Sequence, residues 1–107
     1  MINLTDVLTH FGENRKQYFN AVSPPVIQSS NFVFDTVQEF RDAVGDELSH
    51  HIYTRGNNPT VEILRKKMAA LESAEDALVT SSGAAAIAAS VMSQVKAGDH
   101  VICVNKP

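Results

Sequence analysis

The sequence has a single cysteine, no basic stripe and no long apolar run, and each shortage closes off a class of function. One cysteine, Cys103, excludes an intrachain disulfide framework. Its place in the apolar run Val101-Ile102-Cys103-Val104 predicts a buried thiol acting as a small hydrophobe rather than a nucleophile. Nine Lys and Arg against 12 Asp and Glu give a net charge of -3. The cations Arg15, Lys16, Arg41, Arg55, Lys66 and Lys96 are scattered, so nothing asks for a nucleic-acid partner. No stretch approaches the roughly 20 apolar residues that a membrane span needs, and the opening has no basic flank before an apolar run. The expectation is a soluble, cytoplasmic protein. At 107 residues and 44% apolar content, the chain is one domain at most, with a modest core.

What is present falls into two parts. Up to about Asn31, Gly12, Pro24, Pro25 and polar residues interrupt every apolar run before it completes a period, which predicts an irregular arm. Ordering each backbone residue costs about 1–2 kcal/mol, so such an arm must lie on something else, a neighbouring subunit being one candidate. Thr36-Val37-Gln38-Glu39 has the capping-box form and predicts a helix start. Val37, Phe40, Ala43 and Val44 share its apolar face, and Gly45 suits a left-handed stop. Asn58-Pro59 predicts a second helix, with Val61, Leu64, Met68 and Leu71 as its core side.

Beyond it the pattern changes. Ala77–Thr80 reads as a short strand, Gly83 to about Val95 as an alanine-rich helix stopped by Gly98, and His100–Val104 as a second strand. This βαβ pattern predicts a mainly parallel α/β sheet covered by helices. Two strands do not complete such a sheet, so the expectation is an interrupted domain. Residues 1–58 form the arm and first helix, and residues 59–107 the start of a larger, incomplete domain.

Two segments carry candidate chemistry. Ser81-Ser82-Gly83-Ala84-Ala85-Ala86 lies where a strand gives way to a helix, the place where ligands bind in parallel sheets. Free N–H groups at a helix start attract an anion, and Gly83 lets it come close. The same small residues would equally serve to cap the helix and let it pack tightly. Tyr53-Thr54-Arg55 sets a phenol and a guanidinium two apart ahead of a capped helix, a pair able to clamp phosphate, or else an exposed turn with a surface arginine. His50, His51, His100 and Cys103 make a poor metal set, because adjacent histidines chelate badly and strand positions 100 and 103 face opposite ways. No metal site is expected.

Tyr53-Thr54-Arg55-Gly56-Asn57-Asn58-Pro59-Thr60, followed by Leu64, Ala70, Leu71 and Glu72 and then by Ser82-Gly83-Ala84-Ala85-Ala86-Ile87, resembles the N-terminal region of the Cys/Met-metabolism (transsulfuration) enzymes. These are the cystathionine synthases, cystathionine lyases and methionine lyases. Thr9-His10-Phe11-Gly12 and Pro25–Phe32 are also similar to that family's opening. The resemblance implies an aspartate-aminotransferase-like, fold type I large domain and pyridoxal 5′-phosphate as cofactor. It implies that the backbone N–H groups of Gly83 and Ala84, with Ser82 close by, bind the cofactor's phosphate. Tyr53 and Arg55 would reach the same phosphate from a neighbouring subunit, in a homodimer or a dimer of dimers. The implied substrate is a small sulfur amino acid or an O-acyl-homoserine, with elimination or replacement at the β or γ carbon. Ala84 departs from the family, which commonly has methionine there.

No catalytic residue is assigned within the chain. Lys16, Lys66, Lys67, Lys96 and Lys106 all precede by far the position of the family's Schiff-base lysine, so these residues alone are not expected to catalyse. The competing reading is a non-catalytic module that binds an anion at Ser82-Gly83 or contacts another subunit through the arm.

Overall fold

The computed structural model describes residues 3–105, and its helices begin where local capping chemistry is strongest. Helix α1, Leu4–Thr9, is capped by the Asn3 side chain, which accepts from Thr5 N–H. A 3₁₀ turn follows at Arg15–Tyr18. The arm therefore has local structure that its broken pattern did not predict. Six residues are too few to show a period, although Leu4, Val7 and Leu8 do keep helical spacing.

Helix α2 spans Val37–Gly45 with the full capping box. Glu39 N–H donates to the Thr36 hydroxyl at 3.1 Å, and the Glu39 carboxylate accepts from Thr36 N–H at 3.2 Å. Gly45 does not supply a left-handed stop. It is the last helical residue, and the turn closes because Asp46 N–H bonds back to the Ala43 carbonyl at 3.1 Å. On the apolar face only Ala43 is buried, while Phe40 packs against Phe34 with ring centroids 5.6 Å apart.

Helix α3, Pro59–Glu72, starts as its cap predicts: Asn58 Oδ1 accepts from Thr60 N–H at 2.9 Å and Pro59 fills the first helical position. It ends at Ser73, in the left-handed region at φ 54°. The stripe Val61, Leu64, Met68 and Leu71 is exposed, so it is not core among the described residues. The buried side of α3 is Arg65 and Ala69 instead. The reason is what reaches the helix. α1 packs on α3, and Lys67 Nζ donates to the Leu8 carbonyl at 3.0 Å and to Glu13 at 2.7 Å. The approach is close enough that a Cβ at Gly12, at φ +78°, would stand 3.1 Å from Lys66 Cβ.

The arm is tied to its own chain by polar groups. Ile27 N–H donates to the Thr60 hydroxyl at 2.9 Å, and Asn58 Nδ2 donates to the Ile27 carbonyl and to Thr54 Oγ1, each at 3.0 Å. Asn31 and Tyr53 form an antiparallel bridge, flanked by Phe32 N–H to Ile52 O at 3.2 Å and Thr54 N–H to Ser30 O at 2.9 Å.

Helix α4, Gly83–Gln94, is present with Ser82 as its cap and no buried residue. The expected strands are not. Among the described residues, 77–80 and 100–104 form no ladder, Ile102 is 90% exposed, and Cys103 is exposed rather than buried. A parallel strand needs neighbours supplied by distant chain, and none of the described residues provides them. Gly98 takes a positive φ of 96°, but α4 has already ended at Gln94.

The consequence is a large uncovered surface. The radius of gyration is 17.5 Å, against about 13 Å for a compact chain of this length. The exposed area is 9016 Å², where a folded monomer of this mass exposes only about 5,800 Å². Among the described residues the buried apolar side chains are Val7, Ala43 and Ala69, too few to form a core. No described helix is long and apolar enough to cross a membrane.

Candidate phosphate site

The start of α4 is built by hydroxyls. Ser82 Oγ accepts from Ala85 N–H at 3.1 Å, and the Thr80 hydroxyl donates to the Ser82 carbonyl at 2.8 Å, bracing the turn from behind. The Ser82 side chain therefore satisfies the third helical N–H and keeps its own hydroxyl proton to donate. The first two N–H groups, on Gly83 and Ala84, meet no acceptor among the described residues. A Cβ placed on Gly83 would meet nothing within 4 Å, so the approach to these donors is open. Donors so placed, at the positive end of a 12-residue helix, are of the kind that can receive an anion. Thr80 was not singled out from the sequence; a threonine two residues before a serine cap is the signal that could have found it.

Tyr53 and Arg55 are brought together. The Arg55 guanidinium lies over the Tyr53 ring, 5.0 Å from its centroid. A cation–π contact of this kind restrains the guanidinium and leaves its N–H groups able to donate. No carboxylate pairs with Arg55 among the described residues. The turn beneath them is rigid, because Gly56 and Asn57 N–H both donate to the Tyr53 carbonyl, at 2.9 and 3.1 Å. α4 packs on no other helix among the described residues. The structure shows no direct hydrogen bond between the Tyr53–Arg55 pair and the start of α4 among the described residues.

A family model described as Cys/Met metabolism PLP-dependent enzyme matches residues 5–106. The chain belongs to this family. Its relatives include an L-methionine gamma-lyase of Pseudomonas deceptionensis, 41% identical over 87% of this chain and 23% of the relative. Another, from Fusobacterium nucleatum subsp. polymorphum, is 40% identical over 81% of the chain and 22% of the relative. An O-succinylhomoserine sulfhydrylase of Pseudomonas aeruginosa is 42% identical over 69% of the chain and 18% of the relative. The chain spans less than a quarter of the length of these relatives.

The donor set of this Cys/Met-metabolism chain fits the phosphate of pyridoxal phosphate, which needs several N–H and O–H donors and a positive field. Gly83 and Ala84 N–H, the Ser82 hydroxyl, the Tyr53 hydroxyl and the Arg55 fork are of that kind. Three of the four histidines are engaged elsewhere: His10 Nδ1 lies 3.0 Å from Arg15 NH2, His50 Nδ1 lies 3.0 Å from the Asp46 carbonyl, and His51 Nε2 lies 2.6 Å from Glu62. No group of three or more His, Cys, Asp or Glu stands ready to hold a metal among the described residues.

Three carboxylates around α3 are held below their ordinary range. The bond from Lys67 lowers Glu13. At Glu62 burial pushes upward, but bonds from Lys66 and His51 outweigh it. The Arg65 guanidinium lowers Asp76, helped by the Ala77 N–H. A carboxylate lowered in the folded state stabilises the fold above its unfolded value, and that contribution is lost as pH falls through the folded value. The ordinary value is 4.5 for the two glutamates and 3.8 for Asp76. Stability is therefore expected to drop as pH falls below about 4.5. In denaturant titrations of the intact protein, the gap between wild type and Lys67→Met is expected to narrow on acidification; a gap independent of pH contradicts the assignment.

Proposed function

We propose that these residues supply the phosphate-holding elements of a pyridoxal-phosphate enzyme acting on sulfur amino acids or O-acyl-homoserines. The observation that carries the reading is that the Gly83 and Ala84 N–H groups, at an open helix start in a chain of this family, meet no acceptor among the described residues. When bound, pyridoxal phosphate draws electrons away from the α-carbon of an amino acid. The residues of this chain hold and orient. Gly83 and Ala84 N–H and the Ser82 hydroxyl grip phosphate oxygens, and the dipole of α4 favours the dianion. Arg55 adds a planar pair of donors held by the Tyr53 ring, and Tyr53 adds its hydroxyl. Fixing the phosphate fixes the ring at its other end, so a substrate meets it in one orientation.

In this reading Tyr53 and Arg55 act on the phosphate of a neighbouring subunit in a homodimer or a dimer of dimers, while Ser82, Gly83 and Ala84 act on their own. Segments 77–80 and 100–104 become strands of a fold type I α/β sheet once neighbouring strands flank them. The uncovered apolar surface of α4 and of the Val61–Leu71 stripe supports this.

Substrate assays on the intact protein loaded with pyridoxal phosphate test the reaction class. Thiol and 2-oxo acid released from L-methionine indicate γ-elimination, as in the relatives named methionine gamma-lyase. Incorporation of sulfide into an O-acyl-homoserine indicates γ-replacement, as in those named sulfhydrylases. Failure of sulfur amino acids and O-acyl-homoserines alike overturns the proposal.

A further inference from the structure

Among the described residues a buried cation, Arg65, bonds to the segments that lead to the two candidate phosphate elements. Arg65, midway along α3, is only 8% exposed. Its Nε donates to the Ala77 carbonyl at 2.8 Å, its NH1 donates to Asn57 Oδ1 at 3.3 Å, and its NH2 pairs with Asp76. Asp76 Oδ1 in turn accepts from Ala77 N–H at 2.7 Å. Each partner belongs to a segment that leads to a candidate phosphate contact. Asn57 closes the turn of Tyr53 and Arg55, its N–H donating to the Tyr53 carbonyl at 3.1 Å. Ala77 opens the extended run into Thr80, whose hydroxyl braces the cap of α4.

Burying a guanidinium costs several kcal/mol unless its donors are matched, so a residue serving only to fill space here would be apolar. A planar fork with fixed donor directions instead sets the relative position of the three acceptors it joins. Lysine, a single point charge, does not reproduce that spacing.

The geometry points to Arg65 as a positioning residue that sets the Tyr53–Arg55 turn and the Ser82–Ala84 loop relative to each other through Asn57, Asp76 and Ala77. This inference rests on the phosphate reading of those two elements. If they serve different subunits, Arg65 also links the phosphate contacts of neighbouring active sites.

The test separates phosphate holding from general stability. Dissociation constants for pyridoxal phosphate and for pyridoxal, which lacks the phosphate, are measured on the intact protein and on its Arg65→Lys, Asp76→Asn, Arg55→Ala and Arg55→Ala/Arg65→Lys variants. Arg65→Lys is expected to weaken pyridoxal phosphate by about tenfold while leaving pyridoxal unchanged, with no further loss when Arg55 is already alanine. Asp76→Asn changes a half-exposed side chain and keeps its size; it is expected to act in the same direction, and it decides the question if Arg65→Lys does not fold. Equal loss for both ligands, or full additivity with Arg55→Ala, overturns the positioning role. If Arg55→Ala itself leaves the ratio of the two affinities unchanged, the phosphate reading fails and this inference with it.

Discussion

Replacing Arg55 by alanine is expected to weaken pyridoxal phosphate between about tenfold and a hundredfold and to leave pyridoxal unaffected. The guanidinium has no carboxylate partner among the described residues and lies over the Tyr53 ring, so it is restrained while its donors stay available. Hydrogen bonds from a charged donor contribute about 1.5–3 kcal/mol, and none is made when the phosphate is absent. Arg55→Lys is expected to fall between, keeping the charge but not the fork. Tyr53→Phe is expected to lose less, since it removes one neutral donor and keeps the stacking ring. Equilibrium dialysis of the intact protein and its variants reads these differences. Equal weakening of both ligands would show that Arg55 supports the fold rather than the phosphate.

Asn58→Ala is expected to destabilise the fold by about 2–4 kcal/mol. Asn58 is 3% exposed and holds three groups at once. Its Oδ1 caps α3 at Thr60 N–H, and its Nδ2 joins the Ile27 carbonyl to Thr54 Oγ1. Loss of a cap costs about 1 kcal/mol, and leaving the Ile27 carbonyl without this donor adds about 1–3 kcal/mol. Asn58→Ser keeps the cap without the amide donors and is expected to recover only the first part. Denaturant unfolding, with hydrogen exchange at Thr60 as a local readout, checks both. A loss no greater for alanine than for serine contradicts the account of the cap.

The starts of α2, α3 and α4 were legible because capping is a local affair. Thr36 with Glu39, Asn58 with Pro59, and Ser82 each announce a helix within four residues, and each helix begins there. What depends on distant chain was not legible. The runs 77–80 and 100–104 have strand composition, yet a ladder requires partners that the described residues do not supply. The Val61–Leu71 stripe has the period of a core face and remains exposed for the same reason. Periodicity also hides Arg65, because a charged residue on a helix reads as solvent-facing until Asn57, Asp76 and Ala77 are brought around it.

The candidate site divides in the same way. Ser82, Gly83 and Ala84 are readable as an anion cradle from the helix start alone, and the structure leaves its donors open. That Tyr53 and Arg55 stack is a consequence of the turn closed by Gly56 and Asn57 N–H on the Tyr53 carbonyl, which the sequence order does not show.

The most direct test of the phosphate reading is a crystal structure of the intact protein with pyridoxal phosphate bound. The account predicts phosphate oxygens about 3 Å from Gly83 N and Ala84 N, with Arg55 and Tyr53 of a neighbouring subunit completing the grip. A phosphate held elsewhere, with the α4 start facing only solvent or protein, would contradict it.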